Sequence, residues 1–177
     1  GGKRVEITTL FADVRGFTAI GEKCDPEQLV FILNRYLSAA AAAILEQNGT
    51  IDKFLGDSIM AWFNAPIPQP DHTLRAVKAA LSMVHQMEAL QCDQDAQFQI
   101  SFGVGIDFGD AVLGLIGNEL RLDYTAIGDS VNTAKRIQEN AAGGQILISE
   151  DAFRMIADFV RARPIEPVQA KGKSQTI

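Results

Sequence analysis

The chain has 177 residues, 47% of them hydrophobic, and a formal net charge of −6, enough for one α/β core, whereas two domains would each be small. The acidic balance and the absence of a basic run exclude a nucleic-acid groove, which needs clustered cations, but leave room for a nucleotide whose charge a metal offsets locally. Cys24 and Cys92 are too few and too far apart for a disulfide framework or a zinc site and fit a reducing compartment, while no apolar run approaches the roughly 18 residues of a membrane span and no secretory signal opens the chain.

Val5 to Ala12 reads as a buried strand, closed by Asp13. Pro26 to Gln47 reads as a long helix, with Leu29, Ile32, Leu33, Tyr36 and Leu37 at helical spacing and Ala39 to Leu45 as its buried middle. Asn48-Gly49 stops it, since both residues tolerate the left-handed cap. Two apolar runs then flank Gly56-Asp57, the pattern of a tight hairpin with glycine in the first turn position. A stiff loop, Ala65-Pro-Ile-Pro-Gln-Pro70, leads to Asp71, placed to cap a helix running to about Leu90.

Gln99 to Asp107 alternates as a strand, and Asp110 to Ile116 reads as its partner across a turn at Phe108-Gly109. Gly128-Asp129-Ser130 introduces a third helix through about Asn140, Ile146 to Ile148 is a short strand, and Ser149 caps a helix to about Ala157. The order β-α-β-β-α-β, with extra C-terminal elements, is the ferredoxin-like plan of an α/β (α+β) protein. Two helices cover one face of such a sheet, and the other face needs a partner or a ligand. Gly1-Gly2 and the end at Thr176-Ile177 suggest that residues 1–177 form one domain of a longer protein.

A carboxylate fixed at a strand end or turn tip can hold a hard cation, and two that converge can hold Mg²⁺ against a polyphosphate. Asp13 and Asp57 are placed for this, although aspartate in turns also commonly serves backbone hydrogen bonding. Gly16 follows Asp13, and Phe17-Thr18 open what reads as a helix whose N–H groups could face an anion. Lys53 lies an even number of residues before Asp57 on the same strand. Asn132 and Arg136 project from one face of the third helix as an amide and a guanidinium, a pair suited to a phosphoryl centre. Seen singly, Lys53, Thr125, Asn132 and Arg136 are equally compatible with solvated surface positions.

Together these segments carry a resemblance. Phe11-Ala-Asp-Val-Arg-Gly-Phe-Thr18, Lys53-Phe-Leu-Gly-Asp57 and Asp123-Tyr-Thr-Ala-Ile-Gly-Asp-Ser-Val-Asn-Thr-Ala-Lys-Arg136, followed by Ala170-Lys-Gly-Lys-Ser174, resemble the signature segments of class III nucleotidyl cyclase catalytic domains. They occur in the family's order across nearly the whole chain. The diguanylate cyclases, which use a similar sheet, carry a Gly-Gly-acidic-Glu-Phe hairpin where this chain has Leu55-Gly-Asp-Ser-Ile59.

The resemblance implies the nucleotide cyclase fold and a head-to-tail homodimer with active sites at its interface. Asp13 and Asp57, with the carbonyl of Val14, would hold two Mg²⁺ or Mn²⁺ ions, and Gly16, Phe17 and Thr18 would lie by the phosphates. From the partner copy, Lys53 and Thr125 would face the purine, Asn132 would orient the ribose and Arg136 would stabilise the transferring phosphoryl group. Lys173, or Lys171 in its place, would hold the terminal phosphates. A lysine donor suits the adenine N1 acceptor and a threonine can accept from the 6-amino group, so the expected reaction is ATP to cyclic AMP and pyrophosphate. Guanylyl cyclase activity and a degenerate nucleotide-sensing module are the alternatives. Thr125 also resembles the subset of the family that bicarbonate stimulates. The expected setting is a cytoplasmic domain, without nucleic-acid or membrane contact of its own, in a parent protein that is soluble or membrane-anchored.

Overall fold

The computed structural model describes residues 1–92 and 99–168. Its elements run β1 (Lys3–Arg15), α1 (Phe17–Gly21), α2 (Pro26–Glu46), β2 (Thr50–Leu55), β3 (Ser58–Phe63), α3 (His72–Cys92), β4 (Ser101–Asn118), β5 (Arg121–Ile127), α4 (Asp129–Glu139), β6 (Ile146–Ile148) and α5 (Glu150–Ile156). The six-stranded sheet has the order β2-β3-β1-β4-β5, with β6 parallel to β4. The four central strands are antiparallel in the ferredoxin-like order expected from the element pattern.

Strand alternation divides the core in two. Leu10, Ala12 and Val14 of β1 pack with Tyr36 and Ala40 of α2 and with Ala76 and Ala80 of α3. Ile7 and Phe11 point the other way, joining Met60 and Trp62 of β3, Ala126 of β5, and Val131 and Ala134 of α4. The second face is therefore covered in part by the chain's own α4 and β5. Each large side chain withdrawn from water, such as Tyr36 or Trp62, contributes on the order of 2–3 kcal/mol.

Helix α2 ends as its sequence suggests: Asn48 adopts φ 56°, and the Gly49 amide donates to the Ile44 carbonyl. By length and composition α2 alone among the described helices could cross a membrane, with a window of mean hydropathy 1.5, so the expectation that no segment approaches that test is corrected. Its alanine run raises the hydropathy, and Ala40, Ala43 and Ile44 are buried in the core.

A second correction concerns Phe108-Gly109, which is not a turn. β4 runs through it to Asn118, and its hairpin partner is β5, joined at Asn118↔Arg121. The glycine answers a different need. A Cβ at Gly109 would lie 2.9 Å from Ser130 Cβ, and one at Gly105 would lie 2.3 Å from the Gln138 amide nitrogen, so α4 rests on a strip of β4 without side chains. That approach positions the helix carrying Asn132 and Arg136.

Candidate active site

Asp13 lies opposite Ser58, the first residue of β3, and the Val14 amide donates to the Asp57 carbonyl at 3.0 Å. The hairpin tip is thus fastened to the end of β1. Between Leu55 and Ser58 the loop is Gly56-Asp57, with φ 64° at Gly56 and no positive φ at Asp57, the pattern of a type II′ turn that only glycine enters without strain.

The Asp13 carboxyl is raised above its usual range, first by burial and further by the nearby negative charge of Asp57, against the lowering effects of Gln138 and Arg15. Arg15 Nε stands 3.0 Å from Asp13 Oδ1, yet the approach misses hydrogen-bond geometry. Among the described residues four buried side-chain atoms have no hydrogen-bond partner, and three of them, Asp13 Oδ1, Arg15 Nε and Gln138 Nε2, gather here. Arg15 is anchored by donating to the Gln138 carbonyl at 2.7 Å. Of these three only Asp13 Oδ1 is an acceptor, and a buried carboxylate oxygen without a hydrogen bond is the atom a cation could take. Two carboxylates with an unsatisfied oxygen fit a hard divalent cation, and no cluster of three or more His, Cys, Asp or Glu side chains competes for one among the described residues.

Val14 is 3% exposed with its side chain in the core, so only its backbone can reach a ligand. Phe17 also packs on the core. Gly16 holds φ 87° and turns the chain from β1 into α1, which leaves the backbone N–H groups of the first turn, including those of Phe17 and the exposed Thr18, without helical acceptors.

Lys53 and Thr125, far apart in sequence, meet at a third residue. A bulge separates the pairs Ile51↔Ala61 and Lys53↔Met60, with Asp52 as the extra residue. Were Asp52 paired in regular register, Lys53 would face Ile59, which belongs to the helix-covered core. With the bulge Lys53 faces Met60, on the side shared with β5 and α4. The Thr125 hydroxyl donates to Asp52 Oδ2 at 2.6 Å, and Lys53 Nζ lies 3.6 Å from the same oxygen. The Asp52 side chain is 2% exposed.

On α4, Asn132 is exposed and its backbone N–H donates to the Gly128 carbonyl, while Arg136 is half-buried one turn later. Both keep to one face, opposite the buried Val131 and Ala134. Lys173 and Lys171 lie outside the described residues. Sequence reasoning passed over Asp52, Arg15 and Gln138. The one available signal was Asp52-Lys53, two adjacent charged residues within an otherwise apolar strand.

The model of the "Adenylate and Guanylate cyclase catalytic domain" family matches residues 3–177. The chain is 36% identical over 180 residues to Adenylate cyclase 1 of Rhizobium meliloti, covering 98% of this chain and 27% of that protein. It is 36% identical over 179 residues to an adenylate cyclase of Anabaena cylindrica, covering 97% and 35%. It therefore spans about a third or less of these relatives. Among solved structures it resembles the adenylyl cyclase CyaB of P. aeruginosa (TM-score 0.94, 34% identity, 99% of this chain and 92% of that one). It also resembles the guanylyl cyclase Cya2 (TM-score 0.90, 37% identity, 99% and 90%).

Proposed function

Because the chain belongs to the adenylate and guanylate cyclase catalytic domain family, we propose that it converts ATP to 3′,5′-cyclic AMP and pyrophosphate in a head-to-tail homodimer. The observation that carries the choice of ATP is the meeting of Lys53 and Thr125 on Asp52, at 3.6 and 2.6 Å. Overall likeness does not decide it, since adenylyl and guanylyl cyclases resemble the chain almost equally. A lysine donates to adenine N1, whereas guanine presents N1–H and a 2-amino group and wants an acceptor there.

In this reading the 3′-oxygen of the ribose attacks the α-phosphorus in line as the bond to pyrophosphate breaks. Asp13, Asp57 and the Val14 carbonyl would hold Mg²⁺ or Mn²⁺, two ions per site, which when bound acidify the 3′-hydroxyl and neutralise phosphate charge. Around that centre the first-turn amides at Phe17 and Thr18, after Gly16, receive phosphate oxygens. Asn132 orients the ribose, and Arg136 meets the charge that develops on the phosphoryl group. Lys173 is assigned to the terminal phosphates. Nucleophile and electrophile belong to one molecule, so the protein supplies orientation and electrostatics.

The second copy is supported by apolar surface around the β4–β5 turn, where Leu115, Leu120, Leu122 and Tyr124 are all more than half exposed. A cytoplasmic setting, where ATP is available, completes the reading. The deciding assay compares ATP and GTP with Mg²⁺ or Mn²⁺ across protein concentration. Preferred turnover of ATP, rising per chain with concentration, is expected, and equal or faster GTP turnover would overturn the substrate assignment. Bicarbonate is proposed as an activator through the Thr125 subset, and an unchanged rate against matched chloride at constant pH would remove it.

A further inference from the structure

We infer that Asp52 fixes the polarity of the Thr125 hydroxyl and so makes Thr125 an obligate acceptor, a positioning role that selects 6-amino over 6-oxo purines. This rests on the reading above, in which Lys53 and Thr125 face the base. A threonine hydroxyl carries one proton and two acceptor lone pairs, and left free it rotates to suit either partner. Here the proton is already committed, because Thr125 Oγ1 donates to Asp52 Oδ2 at 2.6 Å. A carboxylate has no proton to return.

What Thr125 can then offer a ligand is lone pairs alone. The 6-amino group of adenine can donate to them. The 6-oxo group of guanine, itself an acceptor, meets lone pair against lone pair and loses the hydrogen bonds it had in water. The same Asp52 oxygen lies 3.6 Å from Lys53 Nζ, so one buried carboxylate aligns the hydroxyl and steadies the lysine that would address N1. The β2 bulge is what makes this possible, because in a regular strand adjacent residues point to opposite faces and Asp52 and Lys53 could not share a target.

The test is steady-state kinetics of the full chain with ATP and GTP, comparing wild type with Asp52→Ala, Thr125→Ser and Thr125→Val. Asp52→Ala removes the acceptor and frees the Thr125 proton to serve guanine O6, so the GTP-to-ATP ratio of kcat/KM is expected to rise by on the order of tenfold or more. Thr125→Ser keeps the hydroxyl and should keep the wild-type ratio. In Thr125→Val the ratio should become insensitive to adding Asp52→Ala. If the Ala chain does not fold, Asp52→Val, which also lacks an acceptor and suits a strand, carries the same expectation. Equal loss of both activities with an unchanged ratio would mean that Asp52 only holds the strand, and would overturn the inference. A wild type that does not prefer ATP would instead sink the underlying substrate reading, a result visible before any Asp52 substitution is made.

Discussion

The Asp57 carbonyl accepts the Val14 amide at 3.0 Å, so the β2–β3 hairpin is tied to the strand carrying Asp13 through backbone alone. The Asp57 side chain takes no part in the tie. Asp57→Ala is therefore expected to lower kcat/KM by on the order of 10²–10³-fold or more while leaving the melting temperature nearly unchanged. Gly56→Ala should do the reverse in kind: φ 64° with open space around it means strain without a clash, costing about 1–2 kcal/mol, or some 2–4 °C per kcal/mol. Thermal melts beside ATP turnover separate the two, and a large melting-temperature loss in Asp57→Ala would contradict this division.

If each site draws its carboxylates from one copy and Asn132 and Arg136 from the other, two dead variants can repair one another. Mixing Asp57→Ala with Arg136→Ala should restore about a quarter of wild-type activity, because about half of randomly formed pairs are mixed and each mixed pair holds one intact site of two. Absence of rescue, with mixed dimers shown by differential tagging, would argue that each copy works alone.

Asp13 is held above its usual carboxyl range by burial and by Asp57. For an acid whose folded-state value is raised, the associated stability is present below the unfolded value of about 3.9 and is lost as pH rises through the higher folded value. At neutral pH the charge thus opposes folding when no cation is bound. Asp13→Asn is expected to raise the melting temperature of metal-free protein by about 2–4 °C, for a gain on the order of 1 kcal/mol, while abolishing turnover. An unchanged or lower melting temperature would show that the Arg15 pair outweighs the burial.

Gly105→Ala would place a methyl 2.3 Å from the Gln138 backbone, where no side chain can swing aside. Helix α4 must move, at about 1–3 kcal/mol, and it carries Asn132 and Arg136. A fall in kcat larger than any change in KM is expected, accompanied by a lower melting temperature. Native activity in Gly105→Ala would mean that the seat of α4 is looser than its packing suggests.

Much of this arrangement was legible beforehand. Helical spacing located α2, the proline-rich loop and Asp71 after it located α3, and Gly56-Asp57 marked the hairpin because few other sequences satisfy that turn. The resemblance of whole segments selected Lys53, Thr125, Asn132 and Arg136, which local spacing left open. Phe108-Gly109 misled because glycine has two uses, bending a chain and admitting a neighbour, and only tertiary packing reveals which applies. Asp52 was hidden for a related reason: strict alternation was assumed through β2, and an extra residue in a strand leaves no mark in a single sequence beyond two adjacent charges.

The bulge at Asp52 also has a bearing on how such chains are compared. Which side of β2 a residue occupies depends here on a count, since in a regular register Asp52 would take Met60 and the lysine would turn towards Ile59 and the helices, whereas the bulge returns it to Met60. Base recognition at this strand is written partly in parity. Two relatives that both show a lysine in this stretch need not present it to the same ligand, and a single-residue gap placed on the wrong side of Asp52 would equate side chains that never share a surface.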